Sequence, residues 1–129
     1  MRLTIFSFLI LIPLIHFSCS EAEPESFKAG IIQLNEQNEY EEALAKLKKS
    51  DNNPEEVHRL KVRTHLAYAS YLTHEADHLA MGERMSDALR HYRRVLELDE
   101  NNTQAITHIE LIEGIYDQMG RDIPQGVAE

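Results

Sequence analysis

The sequence predicts an all-α chain of about five helices paired as helical hairpins. Apolar residues recur at i, i+3, i+4 and i+7 through most of the chain beyond residue 26, which is the spacing of one buried helix face. Asx-, Gly- and Pro-containing stops interrupt that pattern, and no segment alternates apolar with polar residues between turn signals as a half-buried strand would. With 129 residues there is room for one small domain, and 43% hydrophobic with 27% charged residues is a globular composition. Only 5 Gly and 4 Pro exclude collagen-like and linker classes.

The elements follow in order. Phe27, Ile31 and Leu34, with Gly30 beside them, mark a first helix, and Asn38 marks the turn after it. Tyr40, Ala43, Leu44 and Leu47 form the stripe of a second. The run Asp51-Asn52-Asn53-Pro54-Glu55-Glu56 is a stop followed by a start: the Asx residues cap, Pro54 suits the first helical position, and the acids suit the positive helix end. A third, long helix is expected from Pro54 to about Ala80, with Val62, Leu66, Ala69, Leu72, Ala76 and Leu79 inward and Gly82 breaking it. A fourth carries Met85, Ala88, Leu89, Tyr92, Val95 and Leu96, followed by a turn at Asp99-Glu100-Asn101-Asn102. A fifth carries Ala105, Ile109, Ile112, Tyr116 and Met119 and is closed by Gly120 and Pro124.

The N-terminus carries an address. Residues 4–17 hold no charge, follow the single cation Arg2, and are too few for a bilayer span of about 20 residues. The expected organisation is therefore a signal peptide at 1–18, an anchor and acidic tether at 19–26, a helical domain at 27–123 and a tail at 124–129. The formal charge of -9 becomes about -10 once the signal is removed, because that segment carries one Arg and no acid. Such a balance argues against nucleic acid as a partner, since phosphate binding needs clustered cations, and the absence of Trp argues against a base-stacking platform.

Cys19 is the single Cys, so the chain has no internal disulfide framework and no multi-Cys zinc site. With Ser18 directly before it, at the end of the uncharged stretch, Cys19 resembles the lipidated residue of a bacterial lipoprotein signal, although His16 stands where Leu is usual and Phe17 is bulky. The resemblance implies lipid on Cys19 and anchoring in the cell envelope, and Ser20 resembles the outer-membrane sorting choice of enteric-type bacteria. Cleavage after Ser20, giving a soluble periplasmic protein, is the alternative.

Within the body, Asn38-Glu39-Tyr40-Glu41-Glu42-Ala43-Leu44 and Glu83-Arg84-Met85-Ser86-Asp87-Ala88-Leu89 start the second helices of two hairpins, and a 34-residue unit spans 69–102. This resembles the tetratricopeptide repeat: Leu72 takes the large apolar position, Ala76 the close helix crossing, Leu79 the usual Tyr position, and Leu98-Asp99-Glu100-Asn101-Asn102 the terminal turn. Glu75 and Glu100 depart from the pattern, and about eleven extra residues, 58–68, separate the units. The resemblance implies a short helical-hairpin solenoid of two repeats plus a capping helix. It also implies a peptide-binding groove at Lys28, Ile32 and Asn35, then Thr73 and Asp77, then Gln104, Thr107 and Leu111.

His74-Glu75-Ala76-Asp77-His78 reads as HExxH. On a helix, His74 and His78 would share a face and can bind zinc, with Glu75 polarising a bound water. Catalysis also needs a third protein ligand, and neither His91 nor Glu97 stands in a motif that supplies one. His58, His65, His91 and His108 are read as solvated or half-buried helix positions. Lys46-Lys48-Lys49, Arg59-Lys61-Arg63 and Arg90-Arg93-Arg94 are read as solvated surface cations. No nucleophile elbow or phosphate loop occurs. The reading that results is a non-enzymatic interaction module without a cofactor, tethered to a membrane and binding a protein or peptide of the envelope. The alternatives are a small zinc metallopeptidase and a structural subunit that associates with itself.

Overall fold

The computed structural model describes residues 24–125. The signal segment, Cys19 and most of the expected tether lie outside the described residues. Five helices follow one another: α1 Pro24–Glu36, α2 Tyr40–Lys48, α3 Pro54–His74, α4 Met81–Leu98 and α5 Thr103–Gln118. No strand occurs among the described residues, and no described helix is long and apolar enough to cross a membrane. α1 begins at Pro24, three residues inside the segment expected to be tether.

The turns are built by the residues that mark them. Asn38 adopts a left-handed φ of 62°, the Glu39 amide donates to the Leu34 carbonyl at 2.9 Å, and the Asn38 amide donates to Asn35 at 3.2 Å. That pair of bonds is a Schellman closure with Asn in the place glycine usually takes. The Tyr40 hydroxyl then donates to the Asn38 side-chain oxygen at 2.9 Å, so the first residue of α2 fixes the turn that precedes it. At α3 the Asn53 side chain accepts from the amides of Glu55 and Glu56 at 3.0 and 3.2 Å, with Pro54 in the first turn. Asn102 caps α5 through the Ala105 amide at 3.1 Å. Gly120, with φ +62°, ends α5 as the Arg121 amide donates to the Tyr116 carbonyl at 3.0 Å.

Two apolar cores sit side by side. Ile31, Leu34, Ala43, Leu47, Val57 and Leu60 form one between α1, α2 and the start of α3. Ala69, Leu72, Ala76, Met85, Ala88, Leu89, Tyr92, Val95, Ala105, Ile112 and Tyr116 form the other between the end of α3, α4 and α5. α3 has 21 residues, about 31 Å at 1.5 Å per residue, and supplies both cores from one unbroken rod. Buried Thr64 lies between them, accepting from Asn35 Nδ2 at 3.0 Å.

Several expectations are corrected. α3 stops at His74, not at Ala80. α4 already begins at Met81, so residues 75–80 are needed to reverse the chain. Ala76 therefore packs into the core from a turn and not from a helix crossing. Arg93 is not a solvated cation: Nη1 donates to the Pro124 carbonyl at 2.8 Å and Nη2 to Glu113 at 2.9 Å. It thereby ties the segment after α5 back onto α4. His91 is buried, not solvated.

Ala76 and Ala88 are both fully buried, so added methylenes have nowhere to go. Ala88→Leu and Ala76→Leu are each expected to lower stability by about 1–3 kcal/mol, read as a drop in thermal midpoint of at least about 4 °C. Unchanged midpoints for both would contradict this packing.

Candidate functional site

α1 and α2 pack on the first half of α3, and α4 packs on the second, so the chain leaves a seam where the two cores meet. A cavity of about 460 Å3 opens there, lined by Asn38, Glu39, Tyr40, Glu41, Glu42, Tyr68, Tyr71, Leu72, His78 and Leu79. Three short stretches supply it: the Asn38 turn with the first turn of α2, the last turns of α3, and the reversal before α4.

The inner wall is aromatic. Tyr40 stacks on Tyr68 with ring centroids 4.9 Å apart and planes 16° apart, and meets Tyr71 at 5.6 Å. Tyr68 and Tyr71 stand three apart on α3, hence on one face. The series continues inward, with Tyr68 4.3 Å from His91 and His91 5.2 Å from His65. Tyr40 is buried, whereas Tyr68 and Tyr71 are half-buried.

The rim is acidic. Glu39, Glu41 and Glu42 are exposed. The Tyr68 hydroxyl donates to Glu41 at 3.2 Å, and Lys46 pairs with Glu42 at 2.9 Å. Burial, followed by the Glu41 carboxylate, pushes the Tyr68 hydroxyl up to about 12. Burial, with Glu75 next, raises Tyr40. The start of α2 contributes roughly half a positive charge, which three glutamates outweigh. Across the opening, Arg84 holds Asp77 at 3.0 Å and fixes the reversal that brings His78 and Leu79 to the site.

The histidines regroup. His74 is the last residue of α3 and His78 lies in the following turn, so the two do not share a helix face as HExxH chemistry requires. Among the described residues no group of three metal-ligating side chains comes together. Instead His74 meets His108 edge-on at 5.7 Å, and His108 stacks on Tyr92 at 4.9 Å. His65 Nδ1 lies 2.9 Å from His91 Nδ1, one donating and the other accepting. Burial, then His65 and Arg90, pushes His91 down to about 3.

None of Lys28, Ile32, Asn35, Thr73, Asp77, Gln104, Thr107 and Leu111 lines this cavity. Asn35 points to Thr64, Thr73 donates to the Ala69 carbonyl at 2.7 Å, and Asp77 is paired with Arg84. Gln104 and Thr107 are exposed along α5, Ile32 is half-buried, and Leu111 is 53% exposed. A second, small cleft of about 50 Å3 lies between α4 and α5, where Met81 and Met119 stand exposed beside Met85 and Ile115. Tyr40 belongs to the apolar stripe of α2 in the sequence, where Tyr68 and Tyr71 carry no motif. The legible signal was their i, i+3 spacing together with the acids flanking Tyr40.

Comparisons with protein-family models, with curated proteins and with solved structures return no match.

The His65–His91 pair makes stability depend on pH. Above about pH 6.5 His91 is neutral whether the chain is folded or not. Between there and about 3 the unfolded chain binds a proton that the folded chain refuses, so stability falls by about 1.4 kcal/mol per pH unit as pH drops. His108, held down by burial and by His74, adds a slope of the same sign. Stability measured in urea at pH 6.5 and 5.0 is expected to fall in the native protein and to fall less in His91→Gln. Equal slopes would contradict the assignment.

Proposed function

We propose that the chain is a membrane-tethered helical-repeat module of the tetratricopeptide type. It binds a protein segment of the cell envelope and serves assembly or scaffolding rather than catalysis. The observation that carries the reading is the open cavity at the seam between the two cores, walled by Tyr40, Tyr68 and Tyr71 and rimmed by glutamates. A recess of this size lies within the range of ligand sites, about 300–1,000 Å3, and its walls come from elements held rigid by both cores. The hairpin succession from α1 to α5 supports the repeat assignment.

Cys19 supplies the anchor. A single acyl chain gives only marginal membrane binding, so a lipoprotein-type modification with several chains is what holds the domain. The acidic stretch after Cys19 would be repelled by anionic lipid and adds no second anchor. Cys19→Ser is expected to move the protein from the membrane to the soluble fraction, or to stall its precursor, with the helical domain still folded. The intact mass of the extracted native protein should carry the acyl groups; a chain that starts at Glu21 with no added mass would overturn the anchor.

The binding surface is tested separately. A photo-crosslinking residue at Glu42 is expected to give a discrete crosslinked protein in intact envelopes, and the same residue at exposed Glu110 on α5 is not. Equal crosslinking from both positions would remove the cavity from the reading. A second reading, association of the chain with itself, is favoured by exposed Met81 and Met119 beside the α4–α5 cleft. Sedimentation of the purified protein as a concentration-dependent dimer, broken by Met81→Lys, would decide for it.

A further inference from the structure

We propose that the seam cavity is a cation subsite that takes the protonated side chain of a lysine or arginine presented on a basic segment of the partner. The inference rests on reading this cavity as the binding surface and adds to it the chemistry of the occupant.

Three independent features agree. The first is shape: the recess is open to solvent at its rim and reaches about 460 Å3, enough for a long side chain with part of its flanking backbone. The second is the wall. Tyr68 and Tyr71 are half-buried and line the cavity. Tyr40 stacks on one face of Tyr68, and His91 lies 4.3 Å from the same ring. Tyr71 is therefore the ring that meets the cation, while Tyr68 holds Glu41 in place. Aromatic rings attract ammonium and guanidinium groups through the negative charge on their faces, and their apolar bodies cover the methylene stem of the same side chain. A carboxylate gains nothing from such a wall.

The third is charge. None of the ten lining residues is Lys or Arg, while Glu39, Glu41 and Glu42 stand on the rim. Lys46 occupies one side of Glu42, and the Tyr68 hydroxyl bonds to one oxygen of Glu41, which leaves acceptor capacity on both carboxylates and on Glu39. Burial first, and the Glu41 carboxylate after it, raises the Tyr68 hydroxyl, so it stays a neutral donor to Glu41. Held by its bond from Tyr68, Glu41 stands ready at the edge of the wall. The whole chain, at -9, attracts a basic segment from a distance.

The test uses the full-length protein extracted from membranes in a non-ionic detergent. Fluorescent twelve-residue peptides of Gly and Ser would carry four spaced Lys and Arg residues, or the same positions as Gln, or as Glu. Anisotropy is expected to show binding of the basic peptide alone, weakening as salt rises. The double variant Glu41→Gln, Glu42→Gln should weaken it about tenfold or more, and Tyr71→Leu about three- to tenfold. Glu110→Gln, at an exposed position of α5 outside the cavity lining, should leave it unchanged. The glutamate variants lie on the surface and keep the fold, checked by their thermal midpoint, so the test stands even where Tyr71→Leu unfolds the chain.

Basic-peptide binding that ignores the Glu41/Glu42 variant overturns the inference and marks general charge attraction. Equal binding of the Gln or Glu peptide, lost in Tyr71→Leu, also overturns it while sustaining the cavity as a binding surface. Spermidine bound where the basic peptide is not would reassign the site to a free polyamine and overturn the protein-borne occupant. Absence of basic-peptide binding up to millimolar concentration overturns it as well, and the crosslink from Glu42 then decides alone whether the cavity is a binding surface.

Discussion

Everything in this structure hangs on α3 remaining one helix. Its first half gives Val57 and Leu60 to one core, and its second half gives Ala69 and Leu72 to the other. Without that rod the α1–α2 hairpin would lose the element it packs against most, and a lone pair of short helices is marginal in water. The rod also sets spacing. The two cores are held apart along its length, and polar and aromatic side chains enter the gap between them. Thr64 meets Asn35 there, and Tyr40 meets Tyr68 and Tyr71.

That seam explains why the recess is where it is. A continuous aliphatic core would have closed it. Tyr40 and Tyr68 stack at 4.9 Å, and their hydroxyls take partners at the rim. Tyr40 finds Asn38 and Tyr68 finds Glu41. The same bond that satisfies Tyr40 also stabilises the left-handed turn at Asn38, so the wall of the site and the start of α2 are one local device. The acids around Tyr40 suit the positive start of a helix, and once there they give the recess its sign.

The histidines show how burial changes the chemistry of a residue without changing its type. His91 is 7% exposed and faces His65, so it stays neutral far into acid and ties stability to pH. His78, seven positions after Tyr71 in sequence, ends beside the recess instead of beside His74 on a helix. The difference is the reversal at 75–80, pinned by Arg84 to Asp77 and by Ala76 in the core.

Helix class, number and most boundaries were legible in the sequence, because periodicity and caps are local. The Asn53-Pro54-Glu55-Glu56 start, the Asn102 cap and the Gly120 stop act through bonds spanning two to five residues, which the chain order itself displays. The buried stripe of α4, with Ala88, Leu89, Tyr92 and Val95, was legible for the same reason. The end of α3 was not, since no breaker precedes Gly82 and the stop is imposed by the need to turn into α4 and to bury Ala76. Nor was the recess. Tyr40 and Tyr68 are 28 positions apart and His65 and His91 are 26 apart, and no local rule relates them. Only the packing of α2 and α4 against a common α3 brings those rings together, because contacts between helices depend on which faces meet and not on spacing along one chain.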